Sequence, residues 1–359
     1  MVKKIFIAVI LLLTVISAIA DSNFNLFIGS NYIADSTVKR FQQQNNCTVV
    51  QNFFNDNEEM LAKIAAGAEG YSAIVATSYA VQQLALMGKI KPLDKTKLPN
   101  LKNIDPQFLN QAYDLGNKYS VPYAYTPVFL AYNQEKLKQL GINPDSWAVI
   151  FDPQILKKLD GRVTVFDSSR NVISAALLYL GKDPNSTNRQ DLKAARAVIE
   201  RAAPYWAKYD SDSYYRGLLR GDVWVSMAYS IDIFKTIQDA KTANLKYHIA
   251  ASLQKEGNMM ELDNLVIPVF NKNDQLAYKF LNATLDAQSA YELSSVTGSS
   301  VPNVPAMAKL SPEVKNTQWI YPKDMKKMYV FKAYDPKTRI MINEMWTGIK
   351  MNGSCGCEK

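Results

Sequence analysis

The amino-acid sequence predicts an α/β protein built from two lobes, and three observations support this class. Short apolar segments suited to strands alternate with amphipathic segments suited to helices along most of the chain. The 359 residues exceed what one ordinary core holds, and about 100–200 residues per domain suits two lobes. Polar turns follow several predicted strands, and α/β sheets bind ligands beyond the carboxyl ends of their strands.

The first predicted elements alternate regularly between strand and helix. We predict strands over residues 26–28, 47–52 and 71–76, and helices over residues 35–44, 56–66 and 80–87. In the first helix Val38 and Phe41 share a face, and Asp35 or Ser36 is expected to cap its start. Polar turns over residues 29–33 and 77–79 follow two of the strands. This order predicts βαβ units and a largely parallel sheet.

A second series of elements follows after residue 160. We predict strands over residues 162–166, 223–228, 247–250 and 263–270, and helices after the turn 167–171 and over residues 189–203, 273–294 and 338–350. The sequence contains neither an internal repeat nor a low-complexity linker. We therefore expect short crossing strands between the lobes, which permit hinge closure around a ligand.

The N-terminus has the pattern of an export signal. Lys3 and Lys4 precede an apolar run from Ile5 to Ile16, and small residues stand before Asp21. The run is shorter than the roughly 20 residues of a membrane-spanning helix. We predict a secreted, soluble protein whose signal peptide is residues 1–20. An uncleaved N-terminal anchor is the alternative.

Composition indicates a folded protein of moderately basic charge. Hydrophobic residues make up 48% and charged residues 21% of the chain, and removal of Lys3 and Lys4 lowers the net charge from +8 to +6. A nucleic-acid binder concentrates such charge on one face, whereas here it is scattered apart from clusters at residues 89–97 and 323–327. We predict no nucleic-acid partner. Solvated surface is our interpretation of both clusters, with contact to a membrane or an acidic partner as the alternative.

Three cysteines, Cys47, Cys355 and Cys357, cannot all pair within the chain. The last two could form a strained disulfide, hold a soft metal weakly or remain unused, and we favour a redox-active tail. A zinc site needs at least three protein ligands. Because the only histidine, His248, is distant in sequence and is interpreted as structural, we predict neither a metal nor a cofactor.

Several short segments occur in an order and at spacings that resemble a known family. They are Asn57-Glu58-Glu59-Met60-Leu61-Ala62-Lys63, Ile90-Lys91-Pro92-Leu93-Asp94-Lys95, Val121-Pro122-Tyr123, Asp263-Asn264-Leu265-Val266-Ile267-Pro268, Val301-Pro302-Asn303 and Leu310-Ser311-Pro312-Glu313. From about residue 26 to 350 the chain resembles the periplasmic polyamine (spermidine/putrescine)-binding proteins of ABC importers.

The resemblance implies a type II periplasmic binding protein fold and no catalytic activity. Each lobe would be a mixed, mostly parallel sheet flanked by helices, with the ligand cleft between the lobes. We expect lobe 1 to hold residues 21–127 and 263–310, lobe 2 to hold residues 128–262 and 311–350, and residues 351–359 to form a flexible tail. The implied protein is a periplasmic monomer that binds a small-molecule amine and delivers it to a membrane permease.

A polyamine site needs aromatic walls for the methylenes and a carboxylate near each ammonium. An ammonium buried without a partner would cost several kcal/mol, on the order expected for an unpaired charge. The positions that match the family's ligand-binding residues are Ser30, Asn31, Tyr32, Thr77, Ser78, Tyr79, Tyr125, Ser168, Asn171, Tyr229, Asp232, Glu261 and Asp263.

The matched positions depart from the family pattern in their charges. Asn31, Ser168 and Asn171 are neutral where the family has acids, whereas Asp232 and Asp263 keep theirs. Tyr229 replaces one tryptophan, and Glu261 replaces another. The resemblance therefore implies one end of the cleft with a carboxylate pair, Asp232 and Asp263, and one neutral end.

From this pattern we expect a ligand with one cationic end. In an alternative, Glu261 supplies a relocated acid and restores diamine binding; in another, the site has decayed and the protein has a different role. Without the resemblance, each Ser, Thr or Asn would be interpreted as a turn residue or helix cap, each Tyr as wall packing, and Asp232 as part of an ordinary helix start. Asp263 is the strongest candidate because we place it at the head of an apolar strand.

Two other classes of function remain as alternatives. An enzyme using Cys47 would lose activity on its substitution, but this thiol lies in an apolar strand without a base nearby, which favours an inert residue. A protein that binds other macromolecules would ignore amines and still bind its partner. We favour the solute-binding function.

Overall fold

The computed structural model describes residues 22–54 and 56–352. Within them the β-strands are β1 Ser22–Gly29, β2 Cys47–Phe54, β3 Ala73–Thr77, β4 Ser120–Asn133, β5 Val163–Val165, β6 Lys208–Tyr209, β7 Val225–Tyr229, β8 Ile249–Ser252, β9 Asn258–Val266 and β10 Met328–Val330. The α-helices are α1 Asp35–Asn45, α2 Asn57–Ala65, α3 Ser78–Leu86, α4 Gln134–Leu140, α5 Ala148–Phe151, α6 Pro153–Lys158, α7 Ser169–Tyr179, α8 Arg189–Ala202, α9 Tyr214–Arg220, α10 Ser230–Thr242, α11 Asp274–Thr284, α12 Ala287–Thr297, α13 Val304–Lys309, α14 Pro312–Asn316 and α15 Pro336–Asn352. Short 3₁₀ helices lie at Lys95–Lys97, Pro99–Asn103, Pro106–Phe108, Leu115–Asn117, Ala203–Tyr205 and Met325–Lys327.

The strands form one mixed sheet in the order β2-β1-β3-β9-β4-β7-β5-β6, with β10 beside β9 and β8 beside β4. At one end β1 runs parallel to β2 and β3, and at the other β5 runs parallel to β6 and β7. The central pairs β3–β9, β9–β4 and β4–β7 are antiparallel. The predicted α/β class with two largely parallel βα series is confirmed.

Two long strands belong to both halves of the sheet. The first part of β4, up to Pro127, pairs with β9, and from Val128 onward β4 pairs with β7. Likewise β9 pairs with β10 at its start and with β3 at its end. Strands that cross between the lobes were expected to be short, whereas β4 has 14 residues and β9 has nine. The lobe boundaries assigned from the sequence stay a prediction.

Each half of the sheet buries its own aromatic cluster. Phe24, Phe41 and Phe280 pack in one half, with ring centroids 4.4 Å apart for Phe24 and Phe280. In the other half Phe151 and Trp206 pack with centroids 6.2 Å apart. Burying a large aromatic side chain contributes about 1.5–3 kcal/mol. Both ends of the crossing strands are thus anchored in packed cores.

Several predicted helix and strand bounds, and one predicted helix cap, differ from the structure. The predicted helix 273–294 is two helices, because the Asp286 side chain caps a new helix, α12, by accepting from Gln288 N at 2.8 Å. Helix α3 begins at Ser78 rather than at residue 80. Helix α1 begins after Ala34, which has no side-chain cap, so the predicted cap by Asp35 or Ser36 is wrong. Strand β9 begins at Asn258, which places Asp263 in the strand interior rather than at its head.

The longest strand, β4, was not predicted from the sequence. Its 14 residues include Pro122 and Pro127, and proline is uncommon inside paired strands because it lacks a backbone donor. Pro122 lies where the pairing with β9 shifts register, and Pro127 lies where β4 exchanges one partner strand for another. The two prolines therefore occupy interruptions of the hydrogen-bond ladder.

The export signal and the Cys355–Cys357 tail lie outside the described residues. Among the residues that the structure describes, no helix has the length and apolarity needed to cross a membrane. Cys47, at the start of β2, is buried in the core beneath α1.

Candidate functional site

Two carboxylates lie on one face of the crossing strand β9. Glu261 and Asp263 are two residues apart in β9, so their side chains point to the same side of the sheet. Their Cα atoms are about 7 Å apart, as expected for this spacing in a strand. Directly across the pairing, Thr126 of β4 stands opposite Glu261 and Thr77 of β3 stands opposite Asp263. The antiparallel centre of the sheet therefore presents acids and hydroxyls together.

Asp263 is held by a tyrosine from the end of β1. The Tyr32 hydroxyl donates to Asp263 Oδ2 at 2.6 Å, and the Tyr32 carbonyl accepts from the Tyr123 hydroxyl at 2.7 Å. Asp263 is 7% exposed. This burial raises the pKa of Asp263 to about 6, against the opposing effect of the hydrogen bond from Tyr32.

Glu261 ends a chain of hydrogen bonds that begins on α7. Asn171 Nδ2 donates to Ser168 Oγ and to the Tyr229 hydroxyl, both at 3.1 Å, and that hydroxyl donates to Glu261 Oε1 at 3.0 Å. Burial, together with the negative charge of Asp263, raises the pKa of Glu261 to about 7. These hydrogen bonds connect the uncharged Ser168 and Asn171 to a carboxylate in the middle of the sheet.

A buried arginine that the sequence analysis did not select lies beside these groups. The Arg170 guanidinium carbon is 3.9 Å from the ring centroid of Tyr79 and 4.3 Å from that of Tyr334. Its Nη1 donates to the Lys332 carbonyl at 2.9 Å. Its positive charge opposes the effects that raise the pKa of Glu261. Its position between Ser168 and Asn171 was the available sequence signal.

Asp232 occupies a different environment from Asp263. It lies in the first turn of α10 and accepts from the Tyr214 hydroxyl at 2.6 Å, while the same hydroxyl accepts from Tyr229 N at 3.0 Å. Burial and the nearby Asp212 raise the pKa of Asp232. The ordinary helix start is therefore observed, and the acid adjacent to Asp263 on its strand is Glu261 rather than Asp232.

The smaller polar candidates divide into turn residues, caps and buried groups. Ser30 and Asn31 are exposed in the turn after β1, where Asn31 has a φ of 56°. Ser168 caps α7, and its hydroxyl accepts from Asn171 N at 3.4 Å. Thr77 and Ser78 are fully buried, and the Ser78 hydroxyl donates to the Phe331 carbonyl at 2.8 Å.

Tyr125 lies away from this cluster. It alternates with Thr126 and pairs with Leu262, so it faces the opposite side of the sheet from Glu261 and Asp263. There it stacks on Phe108 with centroids 4.7 Å apart. On the same side, a cavity of about 260 Å³ is bordered by Phe108, Leu262 and three methionines. Tyr125 is thus placed in wall packing, and its role as a ligand contact stays a prediction.

The carboxylate face also has aromatic walls and free acceptors. Tyr229 stacks on Phe166 with centroids 4.5 Å apart, and Tyr79 lies beside Arg170. Among the described residues, several buried side-chain oxygens have no hydrogen-bond partner, including Asn171 Oδ1, beside Tyr229, and Ser230 Oγ, in the residue that follows Tyr229. Buried polar atoms usually have a partner, so these two suit the donors of a bound ligand. Carboxylates and aromatic rings together suit an organic cation.

The described part of the chain contains no cluster of three or more His, Cys, Asp or Glu side chains that could hold a metal. His248 is exposed, with Nδ1 2.6 Å from Glu135 Oε1 at the surface. Neither His248 nor the buried Cys47 contributes to the carboxylate face.

Comparisons with known proteins agree with this geometry. The family model described as bacterial extracellular solute-binding protein matches residues 36–320. A putrescine/cadaverine-binding protein of Pseudomonas aeruginosa is 39% identical over 98% of this chain and 100% of its own length. The putrescine-binding periplasmic protein PotF of Escherichia coli is 32% identical over 93% of this chain and 92% of its own length. A spermidine/putrescine ABC transporter substrate-binding protein of Streptococcus pneumoniae has the same two-lobed fold, with a TM-score of 0.82 at 24% identity, and the match covers 93% of this chain and 100% of that one.

Proposed function

The chain belongs to the bacterial extracellular solute-binding proteins, and on that basis we propose that it binds a cationic amine of the polyamine class in its interlobe cleft and delivers it to the permease of an ABC importer. Relatives at 39% and 32% identity are named for binding putrescine, and one of them also for cadaverine. Residues 1–20 act as the export signal in this proposal, and the exported monomer works in the periplasm.

The observation that carries the proposal is the Glu261–Asp263 pair on β9. A carboxylate taken from water into a protein interior is costly unless a positive charge or hydrogen bonds compensate for it. Each acid receives one tyrosine hydrogen bond, from Tyr229 and Tyr32 respectively. An ammonium beside each acid would supply the missing charge, and the rings of Tyr229 and Tyr79 would cover the methylenes between the two ammonium groups.

The same pair favours a ligand with two cationic ends. The one-ended ligand expected from the sequence rests on the neutral Asn31, Ser168 and Asn171. Glu261 adds an acid on the same strand face as Asp263, which corresponds to the alternative of a relocated carboxylate. A diamine is therefore our first candidate, and a monoamine our second.

Binding would require movement of the halves about the crossing strands. Because Tyr32 follows β1, Tyr229 ends β7, both carboxylates lie in β9 and Asn171 lies in α7, the complete set forms only when both halves meet. Closure around the ligand would produce the form that a permease recognises. A binding role of this kind requires no catalytic group.

Calorimetric titration of the purified protein with putrescine, cadaverine, spermidine and 1-aminobutane at pH 8 tests the proposal. We expect the diamines to bind and Asp263→Asn to weaken them at least 100-fold, about 3 kcal/mol, as for a buried ion that loses its partner. Asp274→Asn removes an acid whose ion pair with Lys91 is at the surface, and it should leave affinity unchanged. Preference for 1-aminobutane would favour the one-ended ligand, and absence of binding by every amine would reject the proposal.

A further inference from the structure

We infer that ligand capture displaces a proton held between Glu261 and Asp263, so that the cleft binds doubly charged amines at neutral pH and releases them as the pH falls. This inference rests on the proposed function. It concerns the regulation of the same site by pH. The proposed amine binding does not depend on this proton.

The geometry places the two acids where they cannot both be charged without cost. They share one face of β9, about 7 Å apart along the backbone, where Asp263 is buried and Glu261 is half-buried. Like charges at such a distance oppose each other's ionisation when water is excluded. Each acid also has a neutral hydroxyl as its hydrogen-bond donor, from Tyr32 or from Tyr229, rather than a cation.

The groups that face the pair supply one positive charge. Toward Glu261 these are Tyr229, Tyr79 and Arg170. Arg170 is already engaged, with Nη1 on the Lys332 carbonyl and Nη2 3.8 Å from the exposed Glu58 carboxylate. Its positive charge opposes the rise in the pKa of Glu261 without cancelling it, since that pKa still lies at about 7.

Toward Asp263 the titratable neighbours are phenols from three elements. Tyr32 follows β1, Tyr123 lies in β4, and Tyr113 precedes β4. Burial raises the pKa of each of these tyrosines, so all three remain neutral at the pH of interest. If the exposed Glu58 is left aside, the two acids and Arg170 together carry one negative charge, which a single added proton neutralises.

An incoming diamine reverses this balance. Its two ammonium groups remain protonated below pH 9, as alkylamines do, and they interact best when both carboxylates are ionised. The ligand therefore competes with the proton, and affinity falls as the pH drops through the pKa values of about 7 and 6. Two such groups predict a loss of roughly 10- to 20-fold between pH 8 and pH 6.

Titration with putrescine at pH 8 and pH 6, each in two buffers of different ionisation enthalpy, tests the inference. We expect the 10- to 20-fold loss and about 1.4 protons released per ligand at pH 6, against about 0.1 at pH 8. In Glu261→Gln only the Asp263 carboxyl remains to titrate, so the change between these pH values should shrink to about twofold. Asp274→Asn should behave as the unmodified protein.

The possible outcomes separate the inference from the proposed function. Equal affinity and no proton release at both pH values would overturn the inference while leaving amine binding intact. Absence of binding at either pH would reject the proposed function itself. Because the proton count is measured on the unmodified protein, the test remains decisive if Glu261→Gln does not fold.

Discussion

The Tyr32 hydroxyl donates a 2.6 Å hydrogen bond to Asp263 Oδ2, joining the turn after β1 to the interior of β9 across 231 residues. Tyr32 is itself fixed, since its carbonyl accepts from Tyr123 and the two rings meet edge to face with centroids 5.7 Å apart. The carboxylate that we propose as the main ligand for an ammonium is thus oriented before any ligand arrives, which limits the entropy lost on binding.

Replacing Tyr32 by phenylalanine should therefore weaken ligand binding without opening a large cavity. Loss of the hydroxyl removes the donor that orients this carboxylate; because the hydrogen bond is present in the free protein as well, its contribution of about 1.5–3 kcal/mol, or roughly 10- to 150-fold, is an upper limit on the lost affinity. It also removes an effect that lowers the pKa of Asp263, so a larger fraction of this carboxyl is protonated at pH 7. Calorimetric titration with putrescine at pH 7 would measure the change.

Tyr321→Phe is the matched control for this substitution. Its hydroxyl lies 2.9 Å from Ser294 Oγ in a buried part of the same half of the sheet, away from the carboxylate face. We expect a lower melting temperature for this variant with unchanged affinity. Equal losses of affinity in the two variants would mean that the Tyr32 effect is general destabilisation.

Asp232 and Asp263 should differ in their importance for binding. Asp232 accepts from Tyr214 at the start of α10, where the helix N-terminus favours a negative charge. We expect Asp232→Asn to change putrescine affinity less than about fivefold, or 1 kcal/mol, and to lower stability by a similar amount. A loss equal to that of Asp263→Asn would restore the pair of Asp232 and Asp263 expected from the sequence.

Much of the fold was predictable because its signals are local. Helix α8 and strands β3 and β7 lie within two residues of their predicted bounds, since hydrophobic periodicity and turn residues act over a few positions. Strand β4 was missed because Pro122 and Pro127 oppose a strand locally, whereas its pairing with β9 is decided by partners more than 100 residues away.

The site was only partly predictable for the same reason. Residue type and resemblance selected Glu261 and Asp263, but the sequence could not tell that the Tyr32 and Tyr229 hydroxyls reach them. Arg170 was passed over because an arginine beside a helix start is usually solvated. Its burial depends on the rings of Tyr79 and Tyr334, which are distant in sequence.

Glu292 should control the loss of stability at acid pH. Its carboxylate accepts from Arg40, Ser36 and Thr37 at 2.7–2.8 Å, which ties α12 to α1. These contacts hold its pKa at about 2, below the ordinary 4.5. A lowered pKa gives stability that is fully present above pH 4.5 and is lost as the pH falls toward 2.

Glu292→Gln should therefore destabilise the protein by about 1–2 kcal/mol at pH 7, after allowance for solvent screening of a partly exposed pair. The difference from the unmodified protein should shrink below pH 4.5 and nearly vanish at pH 2. Urea unfolding across this range would measure it. Glu313→Gln, at an exposed position of α14, is the control and should change stability little at any pH. If the stability difference between Glu292→Gln and the unmodified protein stayed constant with pH, the lowered pKa of Glu292 would not be its cause.

Gly298 marks a close approach between the sequence regions assigned to the two lobes. It ends α12 with a φ of 72°, and a Cβ added there would lie 2.5 Å from Phe234 Cβ in α10. Because Phe234 Cβ is attached to the backbone, it cannot swing aside. Gly298→Ala should hold α10 and α12 apart, prevent full closure, and weaken putrescine binding by at least tenfold, about 1.4 kcal/mol.

The backbone penalty of the substitution must be separated from its steric effect. Gly141 ends α4 with a φ of 63° and has open space at the Cβ position, so Gly141→Ala carries the same left-handed penalty of roughly 1–2 kcal/mol without a clash. We expect both variants to melt at lower temperature, but only Gly298→Ala to lose affinity. Small-angle scattering with saturating putrescine should then show a larger radius of gyration for Gly298→Ala than for Gly141→Ala. Equal affinities would mean that α10 and α12 do not approach each other on closure.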